Sequence, residues 1–162
     1  MLNKKIADLL NDQINLEFYS AYLYLEMNNY YADRGLDGFA HWYKVQAHEE
    51  TEHAMKIYQY LQDEGHRVDL NTIARPEVHF KCDVDVQHQA LEHEQLATRS
   101  IDNIVNEAFD EGDYRTMQFL DWFVAEQAEE EVNARDMITK MNLYGCDGLS
   151  LYLLNNELHQ RE

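Results

Sequence analysis

The sequence repeats itself at a distance of 77 residues, and this repeat limits the folds that are open to it. Shifting the chain by that distance places acidic, glycine and other polar positions of the first half on positions of the second. The matched positions are Glu17 with Glu94, Asp33 with Asp110, Gly35 with Gly112, Glu49 with Glu126, Glu50 with Gln127, and His53 with Glu130. Self-similarity of this kind indicates that the two halves of the chain are built alike.

Residues that break helices are scarce, with one proline, Pro76, and six glycines among 162 residues. Such a composition favours long helices over a sheet with many turns. The pattern predicts helices at about residues 3–33, 37–64, 84–111, 113–144 and 149–159. Residues 66–83 contain Pro76 and form a long connection. We therefore expect a single all-α domain over residues 1–162, a four-helix bundle with a long crossover between helices two and three and a short C-terminal fifth helix.

The chain is strongly acidic, since 13 Lys and Arg against 31 Asp and Glu give a formal net charge of −18. A nucleic acid is not expected as a partner, because its phosphates would be repelled. No apolar run approaches the ~20 residues that span a bilayer, so no membrane partner is expected, and the N-terminus turns acidic too early for a signal peptide. Cys82 and Cys146 lie far apart, which favours reduced thiols in a cytoplasmic protein.

The repeated polar positions indicate a metal site. Residues at i and i+3 project from one face of a helix, so Glu50 and His53 can share a metal ion. Glu17 and Glu94 lie among apolar residues of amphipathic helices, where an ionised and unpaired carboxylate is costly. Divalent cations remove the repulsion between several buried carboxylates. Oxygen ligands with one imidazole suit iron or manganese, with zinc possible, provided that these side chains face inward.

The motifs resemble those of the bacterial non-haem ferritins over essentially the whole chain. The resemblance lies in Glu17 and Tyr24, and in residues 46–53 (QAHEETEH), 91–95 (LEHEQ), 119–123 (FLDWF) and 126–131 (EQAEEE). It implies the ferritin-like version of the bundle and a ferroxidase that oxidises Fe(II) with dioxygen or peroxide. It also implies storage of ferric oxyhydroxide mineral in a shell of 24 subunits, with the fifth helix packed around the four-fold axis.

The same resemblance implies three iron positions in each subunit. The first uses Glu17, Glu50 and His53; the second uses Glu50, Glu94 and Glu130; the third uses Glu49, Glu126, Glu129 and Glu130. Gln127 is implied as a hydrogen-bonding neighbour of the second iron, and Tyr24 as the tyrosine beside the centre. Trp122 resembles a nearby aromatic residue with a role in electron transfer. Bacterioferritins place a haem-ligating methionine directly after the first bridging Glu, whereas this chain has Thr51 there, so no haem is expected.

Other interpretations of these residues remain open at this point. A di-iron oxidase or peroxidase of the rubrerythrin or bacterioferritin type would use the same bundle, but such proteins carry a second Glu-x-x-His where this chain has Gln127 and Glu130. A purely structural bundle would turn its acids to solvent. Glu49, Glu126 and Glu129 also fit an exposed acidic face, and Tyr24 fits a packing role. Most of the remaining histidines, a group that includes His93, are expected at the surface.

Overall fold

All of the regular structure is helical in the computed structural model, which describes residues 2–162. The helices are α1 (Lys4–Asp33), α2 (Asp37–Asp63), α3 (Asp83–Asp110), α4 (Tyr114–Tyr144) and α5 (Gly148–Leu158). These bounds lie within one residue of the predicted ones, and the predicted fold class is confirmed. No helix within residues 2–162 has the length and apolar character needed to cross a membrane.

The helix ends follow from local side-chain chemistry. Asn3 accepts a hydrogen bond from the backbone N–H of Lys5 at 2.8 Å, and Asp113 accepts one from the N–H of Thr116 at 3.1 Å. Both side chains satisfy donors that the first turn of a helix leaves free. Gly35 and Gly112, which the sequence repeat pairs with each other, follow the ends of α1 and α3 with φ of 72° and 66°. Glycine adopts this left-handed conformation without steric cost, so both halves turn in the same way.

The bundle is assembled from two helical pairs, α1 with α2 and α3 with α4, and the pairs meet where α1 packs on α3. Residues 64–82 cross from the end of α2 to the start of α3. Two side chains of α1 bind this crossover: Oδ1 of Asn11 accepts a hydrogen bond from the N–H of Asp69 at 3.0 Å, and Nδ2 of Asn15 donates one to the carbonyl of Thr72 at 3.1 Å. The crossover therefore lies along α1.

Helix α5 is fixed to the start of α2 by Asn155. Its Oδ1 accepts hydrogen bonds from the backbone N–H groups of Gly38 at 2.7 Å and Phe39 at 3.2 Å. These two donors have no partner within α2, so Asn155 acts as the cap that Leu36 does not supply. A Cβ atom at Gly38 would lie 1.8 Å from the carbonyl oxygen of Asn155, so this close approach requires glycine.

Two apolar clusters fill the bundle. One includes Met27, Tyr31 and Phe39, and the other includes Ile6, Ile57, Ile101 and Phe123. Both clusters are almost completely shielded from solvent. Burial of large apolar side chains stabilises the fold by about 1.5–3 kcal/mol each. A band of buried polar residues also lies in the bundle, and it forms the site described next.

Candidate metal centre

The four bundle helices each contribute a buried polar side chain to the interior. All of these side chains are at most 5% exposed: Glu17 from α1, Glu50 and His53 from α2, Glu94 from α3, and Gln127 and Glu130 from α4. Isolated ionised carboxylates are almost never buried in this way without a partner. The inward orientation expected from the sequence is therefore present for all six side chains.

Three of these residues form a compact group. The ligand atoms of Glu17, Glu50 and His53 all lie within 4.8 Å of one another, and no other three His, Cys, Asp or Glu residues in the described chain meet that limit. Nδ1 of His53 is 3.5 Å from Oε2 of Glu50 and 3.9 Å from Oε2 of Glu17. The i, i+3 spacing on α2 brings Glu50 and His53 together, and α1 supplies Glu17 from the neighbouring helix.

Two carboxylate oxygens in this group have no hydrogen-bond partner. They are Oε2 of Glu17 and Oε1 of Glu50, both buried. The other oxygen of Glu17 accepts a hydrogen bond from Nε2 of Gln13 at 2.6 Å. A buried polar atom left unpaired costs about 1–3 kcal/mol, and more when it is charged. A cation between the two oxygens would remove that cost.

The carboxylates from the second half of the chain are hydrogen-bonded instead. Glu94 accepts from the Tyr24 hydroxyl at Oε1 and from Nε2 of Gln127 at Oε2, the latter at 3.2 Å. Oε2 of Glu130 accepts from Nε2 of Gln46 at 2.6 Å. Metal binding by Glu94 or Glu130 therefore has to replace or share existing hydrogen bonds.

Burial raises the pKa of each of these carboxyl groups above its ordinary value of 4.5. The pKa of Glu17 is raised by burial and by the charge of Glu50, and that of Glu50 by burial and by the charge of Glu94. Burial raises the pKa of Glu94 to about 7, and burial with the charge of Glu94 raises that of Glu130 to about 8. Without a cation the cluster therefore holds protons near neutral pH, and a cation would displace them.

The chemistry of the donor set fits iron. Four carboxylates supply hard oxygen ligands and His53 supplies one nitrogen, a combination suited to iron or manganese. Cys82 and Cys146 are exposed and not disulfide-bonded, and neither belongs to the group. Carboxylates that change between terminal and bridging modes suit an ion whose charge rises from two to three.

The three outer acids are less enclosed. Oε1 of Glu126 lies 3.9 Å from Nε2 of His53. His53 therefore faces Glu17 and Glu50 with Nδ1 and Glu126 with Nε2. Glu49 is half-buried and pairs with Arg161, with 2.5 Å between Oε2 and Nη2. Glu129 is exposed. The structure therefore brings Glu126 close to His53 and pairs Glu49 with Arg161, and it does not draw Glu49, Glu126 and Glu129 into a compact cluster.

Tyr24 and Trp122 flank the centre. Tyr24 is 1% exposed, donates its hydroxyl to Glu94 and stacks on Tyr43 with 5.8 Å between ring centroids. Burial and the Glu94 charge raise the pKa of Tyr24, so its phenol stays protonated. Trp122 meets the His53 ring edge-on at 5.3 Å between centroids and carries Nζ of Lys56 over its face at 3.4 Å.

Sequence reasoning missed several residues that contact the site. Gln13 and Gln46 bind the carboxylates of Glu17 and Glu130. Gln13 precedes Glu17 by four residues, a spacing that would have flagged it, whereas Gln46 reaches a residue on another helix and left no local signal. His93 belongs to a group of histidines that were mostly expected at the surface, yet it is buried. Its Nε2 shares a hydrogen bond with Oγ of Ser20 at 2.6 Å, and burial lowers its pKa to about 4.

Comparison with known proteins adds an independent finding. The profile of the family described as "Ferritin-like domain" matches residues 7–144. A bacterial non-heme ferritin of Campylobacter jejuni is 41% identical over 153 residues, which cover 94% of this chain and 92% of that protein. A probable bacterial non-heme ferritin-like protein of Haemophilus influenzae is 39% identical over 158 residues, covering 98% and 96%.

Solved structures agree with these relatives. An open-pore ferritin from the archaeon Archaeoglobus fulgidus superposes with a TM-score of 0.98 at 40% identity and covers 100% of both chains. A humanized archaeal ferritin gives the same TM-score and identity, covering 100% of this chain and 98% of the other.

Proposed function

This chain belongs to the ferritin family, and from that premise we propose that it stores iron by oxidising Fe(II) at its buried carboxylate centre and depositing the product as ferric mineral. One observation carries the proposal. Glu17 and Glu50 lie with His53 in a buried group whose ligand atoms are within 4.8 Å of one another, and each of the two carboxylates has one oxygen without a hydrogen-bond partner. The fold keeps this costly arrangement because a cation completes it.

The proposed iron positions use the residues of both halves. Glu17, Glu50 and His53 hold the first Fe(II). Glu50, Glu94 and Glu130 hold the second, with Gln127 as a hydrogen-bonding neighbour. Glu49, Glu126, Glu129 and Glu130 form a third and weaker position. No haem is part of the proposed centre. Tyr24 donates a hydrogen bond to Glu94, orients that ligand and can supply an electron to the centre.

The proposed reaction balances without a further reductant. Each of two Fe(II) ions gives up one electron, and dioxygen takes both and is reduced to peroxide. Hydrolysis of the two Fe(III) ions yields ferric oxyhydroxide and protons. The protein supplies ligand geometry and charge stabilisation rather than a covalent nucleophile. Carboxyl groups with raised pKa values also hold protons near neutral pH and release them when a metal ion binds.

Storage of a mineral needs a cavity, and a chain of 162 residues is too small to enclose one. We propose that residues 1–162 act as one domain that assembles into a shell of 24 subunits in the cytoplasm. Exposed apolar side chains on α5, among them Leu149, Tyr152 and Leu153, favour burial of that helix between subunits. The net charge of −18 per chain would draw Fe(II) towards the shell.

A di-iron oxidase or peroxidase is not favoured. Gln127 stands where such proteins carry the Glu of a second Glu-x-x-His, and its amide donates to Glu94. The relatives reported above are named as ferritins.

The test is an anaerobic titration of the assembled protein with Fe(II), followed by rapid mixing with dioxygen. The wild-type chain is expected to bind two or three Fe(II) per subunit and to oxidise them much faster than buffer does. Glu50→Ala and His53→Ala remove ligands of the first position, so each should lower the initial rate of oxidation by more than about 100-fold.

Glu52→Ala is the matched control, because Glu52 lies on the same helix with its side chain 69% exposed. It removes the same charge and should leave the rate unchanged. Oxidation by the wild type no faster than in buffer, or equal rates for Glu50→Ala and Glu52→Ala, would exclude the proposed function.

A further inference from the structure

Arg161, which follows α5, reaches the edge of the metal centre. Its Nη2 donates to Oε2 of Glu49 at 2.5 Å, and its Nη1 donates to Oε1 of Gln46 at 2.8 Å. A planar guanidinium offers several donors in a fixed fork, and here one fork holds two neighbouring side chains of α2. Neither contact was visible in the sequence, because 112 residues separate Arg161 from Glu49.

Other contacts fix Arg161 in this place. Its guanidinium carbon lies 4.1 Å from the centre of the Trp42 ring, and its Nη1 is 3.4 Å from the Trp42 carbonyl. Its own carbonyl oxygen bonds to Nε2 of His41 at 2.6 Å. The Arg161 side chain is only 16% exposed. These contacts of both its side chain and its backbone distinguish Arg161 from a mobile surface arginine, whose ion pairs contribute little to stability.

The two contacts of Arg161 lead to two acids of the proposed third iron position, which is the outer position, whereas the first and second are the inner positions. Glu49 is bound directly. Gln46 accepts from Arg161 with its carbonyl oxygen and donates with its amide nitrogen to Oε2 of Glu130 at 2.6 Å. Glu130 is the ligand that the second and the outer positions share. Arg161 thus fixes the orientation of the Gln46 amide and, through it, one oxygen of Glu130.

We propose that Arg161 is a positioning residue that occupies Glu49 with its own positive charge, so that a cation can enter the outer position only by displacing the guanidinium. This inference rests on the proposed function and adds a regulating residue to it. At the inner positions, Glu17 and Glu50 each have an oxygen without a partner, whereas Glu49 is already paired with the positive charge of Arg161. The competition keeps the outer position weak, and iron there is readily passed on.

The experiment is anaerobic calorimetric titration of the assembled protein with Fe(II), which resolves the two inner ions from the outer one. Arg161→Ala removes the competing charge, so the outer ion should bind about three- to tenfold more tightly, while the affinity of the first inner position, which uses neither Gln46 nor Glu130, stays the same. Arg161→Lys keeps the charge but not the fork, and its outer affinity should fall between those of the wild type and Arg161→Ala. If Arg161 had only a structural role, Arg161→Ala would weaken Fe(II) binding or stability and would not tighten the outer position alone.

Two further variants locate the effect. In a Glu49→Gln background, Arg161→Ala should no longer tighten the outer position, because the group for which the two cations compete has gone. Lys140→Ala is the matched control: Lys140 pairs with Glu157 between α4 and α5, so it removes one positive charge and one anchor of α5 away from the site. Its outer affinity should equal that of the wild type.

Unchanged or weakened outer binding in Arg161→Ala overturns the inference, as does equal tightening in Lys140→Ala. Either result leaves the proposed function intact as long as the inner pair binds and oxidises Fe(II). A wild-type chain that binds no Fe(II) at the inner pair overturns the proposed function itself, and the inference with it.

Discussion

The two halves of the chain share a sequence pattern but treat their buried carboxylates differently. In α1 and α2, Glu17 and Glu50 each keep one oxygen without a partner, and both residues lie in one compact group with His53. In α3 and α4, the equivalent carboxylate Glu94 is held by Tyr24 and Gln127. The substitution of Glu50 by Gln127 at the matched position accounts for part of this, since an amide donates where a carboxylate cannot.

The difference teaches that a symmetric pattern of residues can give an asymmetric site. The first half leaves two buried carboxylate oxygens without a partner, so we expect it to form the tighter cation position. In the second half, the carboxylates already accept hydrogen bonds from other side chains, so a metal ion can bind them only by replacing or sharing those bonds. We expect the two iron positions to fill in that order.

The largest effect is expected from removing the ligand that belongs to the first half alone. Glu17→Ala should weaken binding of the first Fe(II) by more than about 100-fold, because it removes one of three ligands of the preformed group. Glu94→Ala should instead weaken the second ion. Anaerobic calorimetry measures both. Equal loss of the first ion in the two variants would show that the halves do not differ.

Making the halves alike should be costly without metal. Gln127→Glu removes the amide that donates to Glu94 and adds a carboxylate beside it, which should lower the free energy of unfolding in chelator by roughly 2 kcal/mol. Added Zn²⁺ should restore part of the loss. Chemical denaturation with and without the ion is the measurement. Ala128→Glu, an exposed change one residue along α4, is the control and should cost little.

The raised pKa values predict a dependence on pH. Lowering the pH from 8 to 6 protonates Glu130 and Glu94, whose pKa values are about 8 and about 7, so binding of the second cation should weaken by more than about tenfold. For the metal-free protein the sign is opposite. Folding raises these pKa values above 4.5, so the folded state binds more protons, and stability falls as the pH rises from 4.5 through about 8.

A double variant separates this effect from the repulsion within an acidic chain. Glu94→Gln with Glu130→Gln removes two of the four carboxyl groups whose pKa values are raised, so the fall in melting temperature between pH 5 and pH 9, measured in chelator, should become smaller. A double variant that loses stability with pH as steeply as the wild type would mean that other groups titrate.

The smallest effect is expected from the hydrogen bond that joins the halves. Tyr24→Phe keeps the ring that stacks on Tyr43 but removes the donor to Glu94, so oxidation should slow by about three- to tenfold. Rapid mixing of the Fe(II)-loaded protein with dioxygen measures the rate. Tyr22→Phe, on the same helix with Tyr22 48% exposed, should match the wild type. A larger loss than that of Glu17→Ala would reverse the order proposed here.

Much of the inner site was predictable because it depends on spacing along helices. Glu50 and His53 are three residues apart on α2, so the period of the helix alone sets them side by side. The repeat predicted that Glu94 and Glu130 would join them from the other pair. The ends of the helices were predictable for a related reason, since caps such as Asp113 and glycines such as Gly112 act on their immediate neighbours.

Contacts between distant residues were not predictable in this way. The His93 imidazole, which follows a surface-like local pattern, is buried against Ser20 of another helix. Arg161 follows α5, which Asn155 fixes to the start of α2, and this placement brings it to Glu49. No periodicity records such contacts, since they depend on how separate helices are placed.

The sequence by itself determined the five helices, the bundle and the set of acids that meet inside it, because helix period and local capping act over a few residues. Only the tertiary structure decided which carboxylate oxygens stay unpartnered, which are bound by Tyr24, Gln46 and Gln127, and which is already paired with Arg161. The reason is physical: a hydrogen bond or ion pair depends on distances of about 3 Å between side chains, and such distances are set only when whole helices have packed.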